Sequence, residues 1–316
     1  MTASRDGPTL TRVGTAWDDA ERVALVALLR ARPNGLTWPQ ITAEVDRHAS
    51  AVSVWDELHP PTLLDGDAET PEVAEARRDI EAWRTAELGF LTFLDDAYPA
   101  QLREIHDLPP VLFHRGTLVP NETGMSVVGS RAASPRGLDV ARIIASGLVD
   151  RGITVIAGLA AGIDAAAHVS ALEAGGRTVA VLGTGLSRYY PAENRDLQDR
   201  IAAEGLVLSQ FWPDAPPTKH TFPMRNTVMS GYGQATIVVE AGEHSGARIQ
   251  ARRAVAHGRP VILTDLVVKA NKWPGELLGR PGVYVAGSTA EAMSIVESIS
   301  SGPAEVDALL AAATGR

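Results

Sequence analysis

Between Met125 and Gly287 the hydrophobic positions of the chain alternate between two rhythms. Short apolar, β-prone bursts fall at 125–128, 153–157, 178–182, 206–209, 235–239, 260–264 and 283–286. Stretches with apolar residues at helical spacing separate or follow them, over about 136–150, 163–175, 193–204, 223–231, 245–257 and 289–300. Two bursts, Val179–Leu182 and Thr236–Val239, are almost wholly apolar and must be covered on both faces. The pattern therefore predicts a doubly wound α/β fold with a mostly parallel sheet between helix layers. Phe90–Leu94 and Val111–His114 are shorter strand candidates that extend the edge of that sheet.

The first third of the chain has a helical rhythm only. Helices are predicted from Trp17 to before Pro33, over Trp38–Val45, over Ala51–Leu58, and from Pro71 to about Leu88 with Ile80 and Trp83 one turn apart. The organisation expected is a disordered tail over 1–16, a small helical domain over 17–88, the α/β domain over 89–300 and a C-terminal tail over 301–316. Gly302 to Arg316 has the composition of one short Ala/Leu helix.

Composition changes this picture in three ways. There is no cysteine among the 316 residues, so disulfides, thiolate metal sites and cysteine nucleophiles are excluded. The N-terminus lacks the apolar segment of a secretory signal, and the most apolar run, Ile153–Val169, is interrupted by Gly158, Gly162 and Asp164. A cytoplasmic protein without membrane contact is expected. Finally, 29 Lys and Arg against 38 Asp and Glu give a net charge of −9, which argues against coating duplex nucleic acid. Arginines nevertheless gather at Arg131, Arg136, Arg142 and Arg151, and at Arg248, Arg252, Arg253 and Arg259, so a local basic groove is compatible with an acidic exterior.

The candidate chemistry lies where strands run into glycine loops. Gly129-Ser130-Arg131 follows the first strand of the regular series, and Gly158 and Gly162 follow the second. Gly183 and Gly185 follow the third, and Gly231 and Gly233 are expected to form a further loop on the same edge. Loops at the carboxyl ends of parallel strands let an anion approach backbone N–H groups at helix N-termini. Ser130 can donate to an oxygen, and Arg131 can fork onto a phosphate or pair with a carboxylate. Neither a dinucleotide fingerprint nor a P-loop is present. Lys219 and His220 precede Phe222-Pro223-Met224-Arg225-Asn226, where two cations, an amide and a flat ring suit a phosphate and a base. Tyr189-Tyr190 could stack on a base or pack under its loop. Asp164 reads most simply as a helix cap, His168 as a structural histidine, and Glu240 as a carboxylate that holds a neighbouring arginine rather than a catalyst. Ser245 and Arg248 open the helix after Glu240. No nucleophile–base, metal-ligand or cofactor pattern completes itself, so neither catalysis, a metal nor a cofactor is expected.

These residues resemble the DNA-processing protein A (DprA/Smf) family. The resemblance rests on Asp96-Ala-Tyr-Pro99, Pro109-Pro-Val-Leu-Phe113 with Arg115-Gly116, Val127-Val-Gly-Ser-Arg131, Gly162-Ile-Asp-Ala-Ala-Ala-His168 and Ala180-Val-Leu-Gly-Thr-Gly185. Tyr190-Pro191, Phe222-Pro223 with Arg225-Asn226, Val238-Val-Glu-Ala241 and Ser245-Gly246 continue it, so that it covers roughly residues 90–264. It implies an extended Rossmann-like fold, and a homodimer that binds single-stranded DNA in a basic pocket and loads the RecA recombinase in DNA uptake and transformation. It places the strand on Gly129, Ser130, Arg131, Gly158, Gly162, Gly183, Gly185, Lys219, Phe222, Arg225, Asn226, Ser245 and Arg248. The N-terminal helices stand where that family often carries a sterile-alpha-motif-like domain. The chain departs from the family pattern at Ala161, where arginine is usual, at the thinned basic run Thr218–Thr221, along Ser245–Arg252 and after Leu263, and the family's C-terminal winged helix is not expected in it. The competing reading is a nucleotide-sensing or nucleotide-hydrolysing protein of the same superfamily, which also holds the phosphoribohydrolases and antiviral sensing domains, although the phosphoribohydrolase signature is absent.

Overall fold

The structure, a computed structural model, describes residues 19–60 and 69–314. The tail expected over 1–16 and the helix start expected at Trp17 lie outside the described residues. The chain forms two compact units, one through Asp79 and one from Ile80.

The first unit contains α1 (Asp19–Ala31), α2 (Trp38–His48), α3 (Ala51–Leu58) and most of α4 (Pro71–Thr85). Its core is the apolar stripe of α1, with Leu25, Val26, Leu28 and Leu29 buried beside Ile41, Val45 and Val54. Each such side chain contributes about 1.5–3 kcal/mol on leaving water. The N-terminus of α3 is satisfied from α1: the Glu21 carboxylate accepts from the N–H of Ala51 at 2.6 Å and of Val52 at 3.2 Å.

The second unit is built on one nine-stranded sheet. Along the chain it runs β1 (Gly89–Thr92), α5 (Ala100–Arg103), β2 (Val111–Gly116), β3 (Gly124–Gly129), α6 (Pro135–Val149), β4 (Thr154–Ala157) and α7 (Ile163–Glu173). It continues with β5 (Thr178–Val181), α8 (Arg195–Glu204), β6 (Leu206–Ser209), α9 (Thr221–Tyr232), β7 (Ala235–Glu240) and α10 (Gly246–Ala256). The last elements are β8 (Val261–Thr264), α11 (Asp265–Ala270), β9 (Val283–Ala286) and α12 (Thr289–Thr314). The order across the sheet is β1-β2-β6-β5-β4-β3-β7-β8-β9, parallel from β6 to β9, with β1 and β2 antiparallel at one edge. All seven strands of the regular series lie within one residue of the ranges read from the pattern, and the sheet edge takes the two short strands as expected.

Two elements differ from expectation. The turns of α11 went unread because six residues are too few to show a 3.6-residue period. The helix expected to stop at 300 and the short helix expected after Gly302 are one element, α12.

On one face of the sheet, Val127, Val155, Ile237 and Val239 pack with Ile144 and Leu148 of α6, Ile163 and Ala171 of α7 and Val296 of α12. On the other, the Ser126 hydroxyl donates to the Met229 carbonyl of α9 at 3.1 Å. From β3 the chain winds outward through β4, β5 and β6, then returns to lay β7, β8 and β9 on the other side. The crossovers after β3 and β7 thus leave in opposite directions, and the crevice between their carboxyl ends is where ligands bind in open α/β sheets.

Candidate nucleic-acid interface

A cavity of about 440 Å³ opens at that crevice. Its wall is formed by Gly129, Ser130, Arg131 and Ala132 after β3, by Ala160 and Asp164 around the start of α7, by Phe222, Pro223, Arg225, Asn226 and Met229 of α9, and by Gly242, His244, Ser245 and Gly246 after β7. Larger hollows lie between α6 and α12 and within the first unit. The arginines that line them, Arg142, Arg151 and Arg77, are paired with carboxylates.

Two carboxylates shape the loops that carry this wall. Glu240 holds both ends of the β3–α6 loop. Its carbonyl accepts from Ser130 N–H at 2.7 Å, and its carboxylate accepts from Ser134 N–H at 3.0 Å and from the Ser134 hydroxyl. Ser134 in turn caps α6 by accepting from Gly137 N–H at 3.0 Å. Glu240 therefore holds no arginine, contrary to expectation; it spans the loop on which Arg131 stands. Asp164 is not the cap of α7 either. Gly162 occupies that position, and the Asp164 carboxylate reaches back to Gly158 N–H at 3.0 Å and Ala160 N–H at 3.4 Å. Burial pushes the Asp164 carboxyl up, opposed by the charge of Arg225 and by those N–H groups. Gly162 has φ 78°, and a Cβ there would stand 2.3 Å from the Ser130 carbonyl, so only glycine lets the first two loops touch.

The charge of the site is narrower than the sequence implied. Of the eight clustered arginines, seven are paired: Arg136 with Asp265, Arg142 with Asp139, Arg151 with Glu297, Arg248 and Arg252 with Glu276, Arg253 with Asp107 and Arg259 with Glu104. Arg131 alone has no carboxylate within ion-pair distance among the described residues. Its guanidinium instead lies 5.3 Å from the centre of the Phe222 ring. That contact is worth only about 0.5–1 kcal/mol at an exposed position, too little to hold the group against a phosphate.

Arg225 is the second cation of the wall. It is buried, donates from Nη1 to the Val181 carbonyl at 3.0 Å, and lies flat over Gly158, where a Cβ would stand 1.3 Å from Nη1. Burial lowers its pKa and Asp164 offsets this, leaving a guanidinium that stays charged.

The sequence-predicted residues divide accordingly. Gly129, Ser130, Arg131, Phe222, Arg225, Asn226 and Ser245 come together around the cavity, with Gly158 and Gly162 beneath them. Gly183 backs the Phe222 ring. Gly185 is turned away; its N–H donates to the Ala215 carbonyl at 3.0 Å. Lys219 is exposed and outside the cavity wall. Arg248 lies outside the wall: its Nη2 donates to Glu276 at 3.1 Å and its Nη1 to the Glu243 carbonyl. The aromatic pair splits. Tyr189 donates to Asp199 at 2.9 Å, whereas Tyr190 is 40% exposed and its ring centre lies 5.4 Å from that of Phe222. Sequence reasoning missed His244 and Gln250. His244 was legible as the residue next to the helix-opening Ser245-Gly246, but Gln250 reaches the wall from inside α10. His168 is buried behind the site and bonds through Nδ1 to the Thr178 hydroxyl at 2.7 Å. Burial and the nearby Arg225 charge push its pKa down to about 3.

Comparison with known proteins places this geometry in a family. The model of the DNA recombination-mediator protein A family matches residues 89–280. The DNA processing protein DprA of Streptococcus pneumoniae is 44% identical over 172 residues, 54% of this chain and 61% of that protein. Protein Smf of a Synechocystis strain is 45% identical over 178 residues, 55% of this chain and 45% of that protein. The chain therefore spans only about half the length of these relatives. The X-ray structure of the S. pneumoniae protein superposes with a TM-score of 0.67 at 31% identity, covering 85% of this chain and 97% of that one. A DNA processing protein A from Helicobacter pylori, whose single-stranded DNA binding mode has been described structurally, shares the fold with a TM-score of 0.58 at 22% identity, over 67% of this chain and 96% of that one. Fold and sequence agree, and the chain belongs to the DNA recombination-mediator protein A (DprA/Smf) family.

Proposed function

We propose that this protein binds single-stranded DNA at the β3/β7 crevice and acts as a recombination mediator that passes the strand to the RecA recombinase. The observation that carries this reading is Arg131: among eight clustered arginines, it alone is unpaired and stands on an aromatic face at the rim of a glycine-walled cavity. A strand would set its phosphates on Arg131, Arg225 and the N–H groups at the helix starts, with Gly129, Ser130, Asn226 and Ser245 around them. Bases would stack on Phe222 and on the exposed Tyr190. The role is binding rather than catalysis, because the carboxylates nearest the cavity, Asp164 and Glu240, are engaged by backbone N–H groups and serve to hold loops. Family membership supports a homodimer acting in the cytoplasm, and among the described residues no helix is long and apolar enough to cross a membrane.

The test is a titration of labelled oligo-dT alongside a panel of mononucleotides. Tight oligonucleotide binding that is lost when Arg131 and Arg225 are both neutralised, in a protein with unchanged circular dichroism, is the expected result. Normal binding by the double variant would place the strand elsewhere, and preference for a mononucleotide would favour a nucleotide sensor. Co-elution with RecA and light scattering of the free protein test the partner and the dimer.

A further inference from the structure

At the far ends of α9 and α10 from the cavity, two histidines and a carboxylate converge. The Asp107 Oδ1 atom lies 2.7 Å from His257 Nε2 and 3.9 Å from His106 Nε2, and the three ligand atoms lie within 4.8 Å of one another. We propose that His106, Asp107 and His257 form a site for a divalent transition ion of the zinc class, with water completing the coordination.

The surroundings are arranged as such a site requires. The His257 side chain is fully buried, and its Nδ1 is held by the Ser230 hydroxyl at 2.8 Å, which fixes the ring with Nε2 toward the carboxylate. Asp107 is fixed through its other oxygen, which accepts from Arg253 at 2.9 Å and from the Thr227 hydroxyl at 3.3 Å, leaving Oδ1 to the histidines. His106 is the adjustable member. Its side chain is 63% exposed, makes no hydrogen bond among the described residues, and meets the His257 ring edge-on at 5.3 Å. Entry is from the solvent side of His106 and Asp107.

Two imidazoles and one carboxylate suit a borderline ion far better than magnesium or calcium, which prefer oxygen. Ligand bonds of about 2.0–2.2 Å in tetrahedral geometry put ligand atoms roughly 3.4 Å apart. Binding therefore opens the 2.7 Å His257–Asp107 contact by roughly 0.7 Å, releases the proton between them to solvent, and draws His106 inward. The ion would pin the segment before β2 to the two helices whose opposite ends carry Phe222, Arg225 and Ser245.

The full chain is stripped with chelator, dialysed against buffered micromolar Zn²⁺, and its bound metal counted. Co²⁺ substitution supplies a visible spectrum of tetrahedral coordination. Wild type is expected to take up one equivalent. The variant His106→Ala removes an exposed ligand whose one ring contact is with His257 itself, and is expected to lose at least tenfold in affinity. Ser230→Ala, which removes the hydrogen bond to the His257 ring together with the hydroxyl's own bond to the Thr227 carbonyl, is expected to lose about 10–100-fold. His220→Ala and His244→Ala, on the other side of the molecule, are expected to bind as wild type. Zn²⁺ should raise the melting temperature of wild type and not of His106→Ala. No stoichiometric uptake, or uptake that His106→Ala leaves unchanged, overturns the assignment. Neither result depends on DNA binding, so this site stands or falls apart from the cavity.

Discussion

At the scale of single residues, the site is set by which groups are already occupied. Arg131 and Arg248 look equivalent in the sequence, each in a helix-opening loop or first turn beside glycine. Only contacts made far along the chain separate them, because Arg248 meets Glu276 and Arg131 meets Phe222. Arg131→Ala is therefore expected to weaken oligo-dT binding at least tenfold, and Arg248→Ala to leave it within about twofold, both read by fluorescence anisotropy. Gly158→Ala tests the seat of Arg225. A methyl group there collides with the guanidinium, so overpacking of about 1–3 kcal/mol should appear in urea unfolding together with a loss of strand affinity. His168 makes a prediction in pH. Its folded pKa of about 3 lies below the ordinary histidine value, so between the two the unfolded chain binds the extra proton. Stability should thus be intact above about pH 6.5 and fall by up to about 1.4 kcal/mol per pH unit below it. The His168→Gln variant should lose that slope; an unchanged slope would show that the acid sensitivity comes from other groups.

At the scale of elements, the β3–α6 loop is the unit that matters. Strand β3 and helix α6 were both legible from periodicity, but the hold on the loop between them comes from the end of β7. Glu240 fixes both loop ends, so the sequence neighbourhood of Arg131 does not reveal what positions it. Removing the Ser134 hydroxyl should cost about 0.5–2 kcal/mol as a lost helix cap. Glu240→Ala should do more to function than to folding. Without the carboxylate that holds Ser134, the loop carrying Arg131 loosens at that end, and strand affinity is expected to drop while the melting temperature moves by a few degrees. If affinity holds while the loop loses its protection from hydrogen exchange, the placement of Arg131 does not matter to binding. The same reasoning explains Asp164, which a local view takes for a cap and the fold uses to tie down the β4–α7 loop.

At the scale of the whole molecule, an acidic protein is read as gripping a polyanion with very few cations. Binding should therefore weaken with salt only gently, with a log–log slope of roughly −0.7 for each phosphate held. A slope of magnitude about 1–2 fits the two guanidiniums of the wall; a much steeper one would mean that a basic surface beyond Arg131 and Arg225 takes part.

The alternating rhythms of Met125 to Gly287 were enough to determine the sheet, its helix layers and the glycine loops after β3, β4 and β5, because backbone periodicity and glycine's steric freedom are local properties; Gly231 and Gly233, expected at the same edge, lie instead at the amino end of β7. The order of the strands placed β3 beside β7 and so decided where those loops meet. Which arginine remained available, and which carboxylates became loop clamps, was decided by tertiary structure alone. Apart from Arg142 and Asp139, one helical turn apart, these pairs join residues that the chain brings together from far apart, and no local pattern encodes them.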